Sequence, residues 1–225
     1  MKVNSVRKNF DAVIFDFDGT VADTGKGVFR CIRESVKKSG LPELSEASLR
    51  TFIGPPLHDS FRRECHIDDE KLIDTLVAQY REVYSDSGIY EFDLYDGMEE
   101  LFEYLHDAGI KVCIASSKPE DFINIILEDT GLKKYFDVAS GSDPRYADSD
   151  KTTIINNCIK RLDMPEGSKY LMVGDRCFDI QGAHNAGILC AAVLFGYGSM
   201  KEFEEYKADY IVSDADELKS VIIGL

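Results

Sequence analysis

The sequence predicts an α/β protein. Its core would be a parallel sheet with helices on both faces, three layers in all, carrying an inserted helical domain. Two observations support this. From about residue 90 to the end, short apolar runs alternate with stretches of helical period, the pattern of a parallel sheet wound by crossover helices. Between residues 25 and 88 that alternation stops, and helical patterns follow one another with no convincing strand.

The first strand is the apolar run Phe10 to Phe15, rich in Val, Ile and Phe as befits a strand covered on both faces. It stops at Asp16-Phe17-Asp18-Gly19-Thr20, and Val21 to Gly25 reads as a turn. Val28, Phe29, Ile32 and Val36 then recur at helical spacing until Gly40-Leu41-Pro42. Ser45 is placed to cap a short helix. The segment Phe52-Ile53-Gly54-Pro55-Pro56-Leu57 fixes a rigid turn, since Gly-Pro-Pro cannot continue a helix. Leu57 to Cys65 restarts one, and Asp68-Asp69-Glu70 opens a longer one with Leu72, Ile73, Leu76, Val77, Tyr80 and Tyr84 on one side.

Met98, Leu101, Phe102 and Leu105 mark the next helix, with Gly109 placed for a left-handed cap. Ile110 to Ala115 is a second buried strand that ends in Ser116-Ser117-Lys118-Pro119, and Pro119 suits the first turn of the helix through Ile123, Ile126 and Leu127. A short strand spans 136–139. A helix from Lys151 to Leu162 puts Ile154, Ile155, Cys158 and Ile159 inward. Tyr170 to Val173 is the fourth strand, ending in Gly174-Asp175-Arg176-Cys177-Phe178-Asp179. A helix through Ile180, Ala183 and Ala186, a strand from Ile188 to Leu194, a helix near 200–206, a strand at 210–212 and a last helix from Asp214 complete the chain.

Composition narrows the function classes. The formal net charge is −15, the wrong sign for a nucleic-acid or anionic-membrane partner. A small anionic substrate remains open, because a local cation can override the global field. The six cysteines form no Cys-x-x-Cys pair, and Cys113 and Cys190 lie inside apolar runs, so reduced thiols in a cytoplasmic protein are expected. The four histidines form no zinc pattern. The N-terminus lacks an apolar signal core, and no run approaches membrane-spanning length. A monomer or weak homodimer is expected.

The strand ends carry the chemistry. In an open parallel sheet, ligands bind beyond the carboxyl ends of the strands. Here those ends offer Asp16 with Asp18, Ser116 with Ser117, and Asp175 with Asp179, and Lys151 follows Asp148-Ser149-Asp150 at a helix start. Two acids side by side repel unless a cation or a reaction needs them. Carboxylates suit a hard cation, while a hydroxyl and a lysine suit phosphate oxygens. The set answers the needs of phosphoryl transfer.

Motif by motif, the chain resembles the haloacid dehalogenase (HAD) superfamily of phosphatases, in the group with a helical cap after the first motif. Asp16-Phe17-Asp18-Gly19-Thr20, Ser116, Lys151 and Gly174-Asp175-x-x-x-Asp179 match its four signatures in order. The resemblance implies a Rossmann-like core at 1–23 and 93–225 and a cap at 24–92. It implies Asp16 as nucleophile, forming an aspartyl-phosphate, and Asp18 as general acid and base. Magnesium (Mg2+) would be held by Asp16, the Asp18 backbone carbonyl and Asp175, with Asp179 supporting it through water. Ser116 and Lys151 would hold the phosphoryl group, with Gly19, Thr20 and Ser117 also on the substrate side.

A cap lysine for phosphonate cleavage is not evident, since Lys26, Lys37 and Lys38 lie in polar, basic surroundings. The substrate class implied is a small phosphate monoester. The 52–57 turn is similar to the cap of phosphoglycolate-phosphatase-like proteins. Gly141-Ser142-Asp143 and Gly174-Asp175-Arg176 are closer to relatives described as 5'-nucleotidases, and a β-phosphoglucomutase-like sugar phosphomutase shares every core motif. In the cap, the basic stripe Lys26, Arg30, Arg33 and Lys37, together with Arg62 and Arg63, reads either as solvated surface or as contacts to the substrate.

Overall fold

The structure is a computed structural model and describes residues 8–142 and 150–224. In chain order its elements begin with β1 (Ala12–Phe15), β2 (Ala22–Asp23), α1 (Gly25–Lys38), α2 (Glu46–Arg50), α3 (Leu57–Cys65), α4 (Glu70–Asp86) and β3 (Asp93–Leu94). They continue with α5 (Met98–Asp107), β4 (Lys111–Pro119), α6 (Glu120–Asp129), β5 (Val138–Ser142), α7 (Lys151–Leu162), β6 (Tyr170–Gly174) and α8 (Cys177–Asn185). The last are β7 (Leu189–Val193), α9 (Met200–Glu205), β8 (Tyr210–Val212) and α10 (Ala215–Ile223).

Six strands form one parallel sheet in the order β5-β4-β1-β6-β7-β8. β1 is therefore central, and all four of its residues are buried, as a Val-Ile-Phe strand flanked by two neighbours requires. Alternation along β1 sends Ile14 to one face and Phe15 to the other. Ile14 joins Ile154, Ile155 and Cys158 of α7, Ile180 and Ala183 of α8, and Phe203 of α9. Phe15 meets Phe102 of α5 edge-on with ring centres 5.2 Å apart, and α10 packs beside α5. The helices thus cover both faces of an α/β, Rossmann-like core.

The chain divides into two units, Met1–Val21 with Leu94–Leu225, and Ala22–Asp93. The second is helical. In it α1 lies along α4, and the buried Ser35 hydroxyl donates to the Leu76 carbonyl at 2.8 Å. Helix starts follow the sequence signals: Ser45 accepts from the Ser48 N–H, and Asp69 accepts from Lys71 and Leu72. β2 and β3 pair as a two-stranded ribbon where the chain passes between the units. They are two residues each, too short to show alternation in the sequence.

β4 departs from expectation. It does not end at Ala115 but continues through Ser116–Pro119, with a register shift against β5 between Ala115 and Pro119. Pro119 is accordingly extended, with ψ of 134°, and precedes α6 rather than entering its first turn. Gly141 and Ser142 end β5, while Asp143, Asp148 and Ser149 lie outside the described residues. No helix among the described residues is long and apolar enough to cross a membrane.

Candidate active site

Register assembles the site. Phe15 aligns with Ile114 of β4 and Val173 of β6, so the residues just beyond, Asp16, Ser116 and Asp175, emerge on the same edge of the sheet. The Asp16 N–H donates to the Val173 carbonyl at 2.8 Å, which ties the first acid to the strand carrying the third. One carboxylate oxygen from each of Asp16, Asp175 and Asp179 falls within a span of 4.8 Å, and all three side chains are buried.

Their partners account for part of that charge. Asp16 Oδ1 accepts from the Phe17 N–H at 2.7 Å and lies 3.0 Å from Lys151 Nζ. Lys151 Nζ also lies 2.8 Å from Asp179 Oδ1 and donates to the Ala115 carbonyl at 3.1 Å. Asp179 Oδ2 accepts from the Arg176 N–H at 3.0 Å. Asp175 Oδ2 accepts from the Tyr197 N–H at 2.7 Å. Asp179 Oδ1 has its ionic neighbour Lys151 but no hydrogen bond in proper alignment, although it is fully buried.

Burial pushes the Asp16 carboxyl up to about 6, with Lys151 pulling it down and Asp179 and Asp18 adding to the rise. Burial, then Asp179 and Asp16, hold Asp175 well above the usual carboxylate range. Burial opposes charge on Lys151, but Asp16 and Asp179 outweigh it and raise the ammonium above its ordinary value. Three buried carboxylates facing one lysine leave surplus negative charge in a dry place, and an all-oxygen donor set fits a hard divalent cation.

Close approach requires glycine at two points beside these acids. A Cβ on Gly19, whose φ is +85°, would run into the Asp175 carboxylate and come within 2.7 Å of the Tyr197 ring. A Cβ on Gly174 would overlap the Asp179 carboxyl. Thr20 is fully buried and its hydroxyl donates to Asp175 Oδ1 at 3.4 Å, which turns it toward the acid cluster. Ser116 is buried beside Asp16, where it favours the charged carboxylate, and accepts from the Lys118 N–H at 3.3 Å. Ser117, half-buried, has no side-chain hydrogen bond among the described residues.

Asp18 stands slightly apart. Its two carboxylate oxygens lie 2.8 and 3.0 Å from Lys118 Nζ. Sequence reasoning did not single out Lys118 or the Gly196-Tyr197-Gly198 loop that supplies the Asp175 hydrogen bond. The available signals were a lysine two residues after Ser116, and a glycine pair just past the end of β7. In the helical unit, the arginines proposed as substrate contacts have local acidic partners. Arg30 pairs with Glu34 and Glu91, Arg33 with Glu46, Arg62 with Asp59 and Glu70, and Arg63 with Glu64.

Comparison with known proteins gives concordant results. The haloacid dehalogenase-like hydrolase family profile matches residues 13–193. A 5'-nucleotidase of Pseudomonas aeruginosa is 30% identical over 210 residues, covering 93% of this chain and 94% of the relative. A phosphoglycolate phosphatase of Vibrio parahaemolyticus is 27% identical over 223 residues, covering 96% and 97%. The crystal structure of a predicted phosphatase from Clostridium acetobutylicum superposes with a TM-score of 0.89 at 33% identity, covering 96% of this chain and 99% of that one.

Proposed function

The chain belongs to the haloacid dehalogenase-like hydrolases and is a phosphoric monoester hydrolase, and from that premise we propose that it hydrolyses small phosphate monoesters with Mg2+, through an aspartyl-phosphate on Asp16. The observation that carries this reading is the convergence of three buried carboxylates, Asp16, Asp175 and Asp179, beside the single ammonium of Lys151.

In the proposed reaction an Asp16 oxygen attacks phosphorus as the ester P–O bond breaks. Asp18 gives a proton to the departing alcohol oxygen. Water then attacks the phosphorus of the aspartyl-phosphate while Asp18 takes its proton, so inorganic phosphate leaves and the Asp16 carboxylate is restored. Ser116 and Lys151 hold the non-bridging oxygens, and Lys151 also reduces repulsion between Asp16 and the incoming anion. Asp16, the Asp18 carbonyl and Asp175 would hold Mg2+, which when bound draws negative charge from the phosphoryl group. Asp179 supports the cluster through Lys151 and the Arg176 N–H.

We assign choice of the ester's alcohol part to the inserted segment 24–92, since the core groups described above all address phosphate, cation or proton. Phosphoglycolate is the first substrate to test. A nucleoside monophosphate is the second, favoured by the identity to the Pseudomonas 5'-nucleotidase. We place the protein in the cytoplasm as a monomer or weak homodimer; its six free cysteines suit a reducing compartment.

A panel of phosphate monoesters ranked by kcat/KM, with and without EDTA, tests the proposal. Turnover is expected to need Mg2+ and to be highest on one of these two classes. Full turnover in EDTA would refute the metal assignment. Faster isomerisation of a sugar 1-phosphate than hydrolysis of any ester would replace hydrolysis with a mutase activity.

A further inference from the structure

Two lysines are buried among the site's acids, and the reaction as written uses one. Lys151 serves Asp16 and Asp179. Lys118 serves Asp18, from 100 residues away in the chain. Its side chain is 5% exposed and that of Asp18 is 19% exposed, so the ammonium sits behind the carboxylate, away from solvent. Lys118 Nζ also lies 5.7 Å from the centre of the Phe17 ring, which closes another side of the ammonium.

The chain goes to some length to put it there. β4 shifts register between Ala115 and Pro119, a device that re-aims side chains at the end of a strand. The Ser116 hydroxyl accepts the Lys118 N–H and fixes the backbone of the shifted segment. Across the sheet Gly141 lies so close that a Cβ there would come within 2.6 Å of Glu120 Cα and into the Lys118 carbonyl. Glu120 in turn accepts the Gly141 N–H at 3.4 Å and pairs with Arg161 at 3.0 Å. Asp18, by contrast, lies in the loop leaving β1, next to a glycine with φ of +85°, where little in the local backbone dictates a side-chain direction.

We propose that Lys118 is a positioning residue. It holds the Asp18 carboxylate in the direction along which Asp18 passes protons, and it does not itself bind the phosphoryl group. This rests on the aspartyl-phosphate reading given above, and it assigns the two buried lysines separate duties. A carboxylate gripped through both oxygens has its plane and torsion fixed, and general acid–base catalysis depends on that geometry.

The test is pre-steady-state kinetics of Lys118→Met and Lys118→Gln with Mg2+ and two esters. One is p-nitrophenyl phosphate, whose leaving group departs without a proton. The other is an alkyl phosphate, whose leaving group needs one. The expected result is a p-nitrophenolate burst at close to the wild-type rate, followed by steady-state turnover slowed at least about tenfold, because water activation still needs Asp18. The alkyl ester should show no burst, and KM for both should change little. Lys118→Arg, which can grip both oxygens, should restore turnover. In an Asp18→Asn background, Lys118→Gln should cost nothing further.

Equal slowing of burst and steady state with a raised KM would make Lys118 a phosphate ligand and overturn the proposal. So would additive losses in the double variant, or unchanged kinetics in Lys118→Gln. A wild-type enzyme that turns over without a burst even when rapidly mixed would instead refute the aspartyl-phosphate reading, and this assignment with it.

Discussion

Asp16 is asked to be both buried and ionised, and its environment makes that conditional. Burial raises its carboxyl to about 6, above its ordinary value. A folded-state value above the unfolded one means the native chain holds the extra proton between the two. Stability of the metal-free protein from this group is therefore greatest at low pH and falls as pH rises through about 6. The same proton competes with a cation, so Mg2+ affinity should rise as pH increases through about 6. Titration calorimetry well below and well above that pH checks this, and affinity independent of pH would contradict it. Asp175 sits deeper in the same repulsion. Asp175→Asn can keep the Tyr197 and Thr20 contacts, since an amide offers both an acceptor and a donor. In EDTA it should raise Tm by about 2–4 °C, the shift that ~1 kcal/mol gives a domain of this size, while abolishing the Mg2+-induced rise in Tm. A lower Tm in EDTA would show that the acids do not repel as described.

These acids were legible because each stands in a motif at the end of an apolar run. Lys118 was not. Nothing local distinguishes a lysine two places after a serine, and its partner is 100 residues distant. Thr20, which the resemblance places on the substrate side, has its hydroxyl on Asp175, a contact 155 residues away that no local pattern announces.

At the scale of elements, the site depends on three strand ends arriving in register and two helices starting tightly after them. Gly174 is where β6 gives way to α8, and Asp179 folds back over it to accept the Arg176 N–H. Gly174→Ala puts a methyl group into the Asp179 carboxyl, and neither the strand nor the helix start can yield cheaply. It should lower kcat by at least about tenfold and destabilise the fold by roughly 1–3 kcal/mol, read from kinetics and urea unfolding. Unchanged kcat with a lowered stability would separate Asp179 from the reaction. Most elements were readable from period and punctuation, including the helix caps at Ser45 and Asp69. The extension of β4 past Ala115 was not, because Ser116-Ser117-Lys118 reads as a polar turn. Pairing with β5, whose glycine admits close approach, keeps it extended.

For the whole molecule, the parallel order with β1 central brings together residues as far apart as Thr20 and Asp175. Alternating strands and helices foretold the α/β class but could not foretell neighbours, since strand order is a property of packing. Substrate choice was illegible for a related reason: the arginines nominated for it have acidic partners of their own. A net charge of −15 repels an anionic ester at long range. Salt screens that repulsion, so kcat/KM should rise modestly as ionic strength is raised toward ~0.15 M, where the screening length is ~8 Å. A steep fall would mean that attraction by local cations dominates encounter.

The central claim is that the phosphoryl group passes through Asp16. Acid quench within the first turnover with Mg2+ and a fast-leaving ester, followed by peptide mass analysis, tests it directly. The account predicts one phosphoryl group on Asp16, absent from Asp16→Asn, which should also be inactive. Full turnover with Asp16 never modified, or retained in Asp16→Asn, would contradict it.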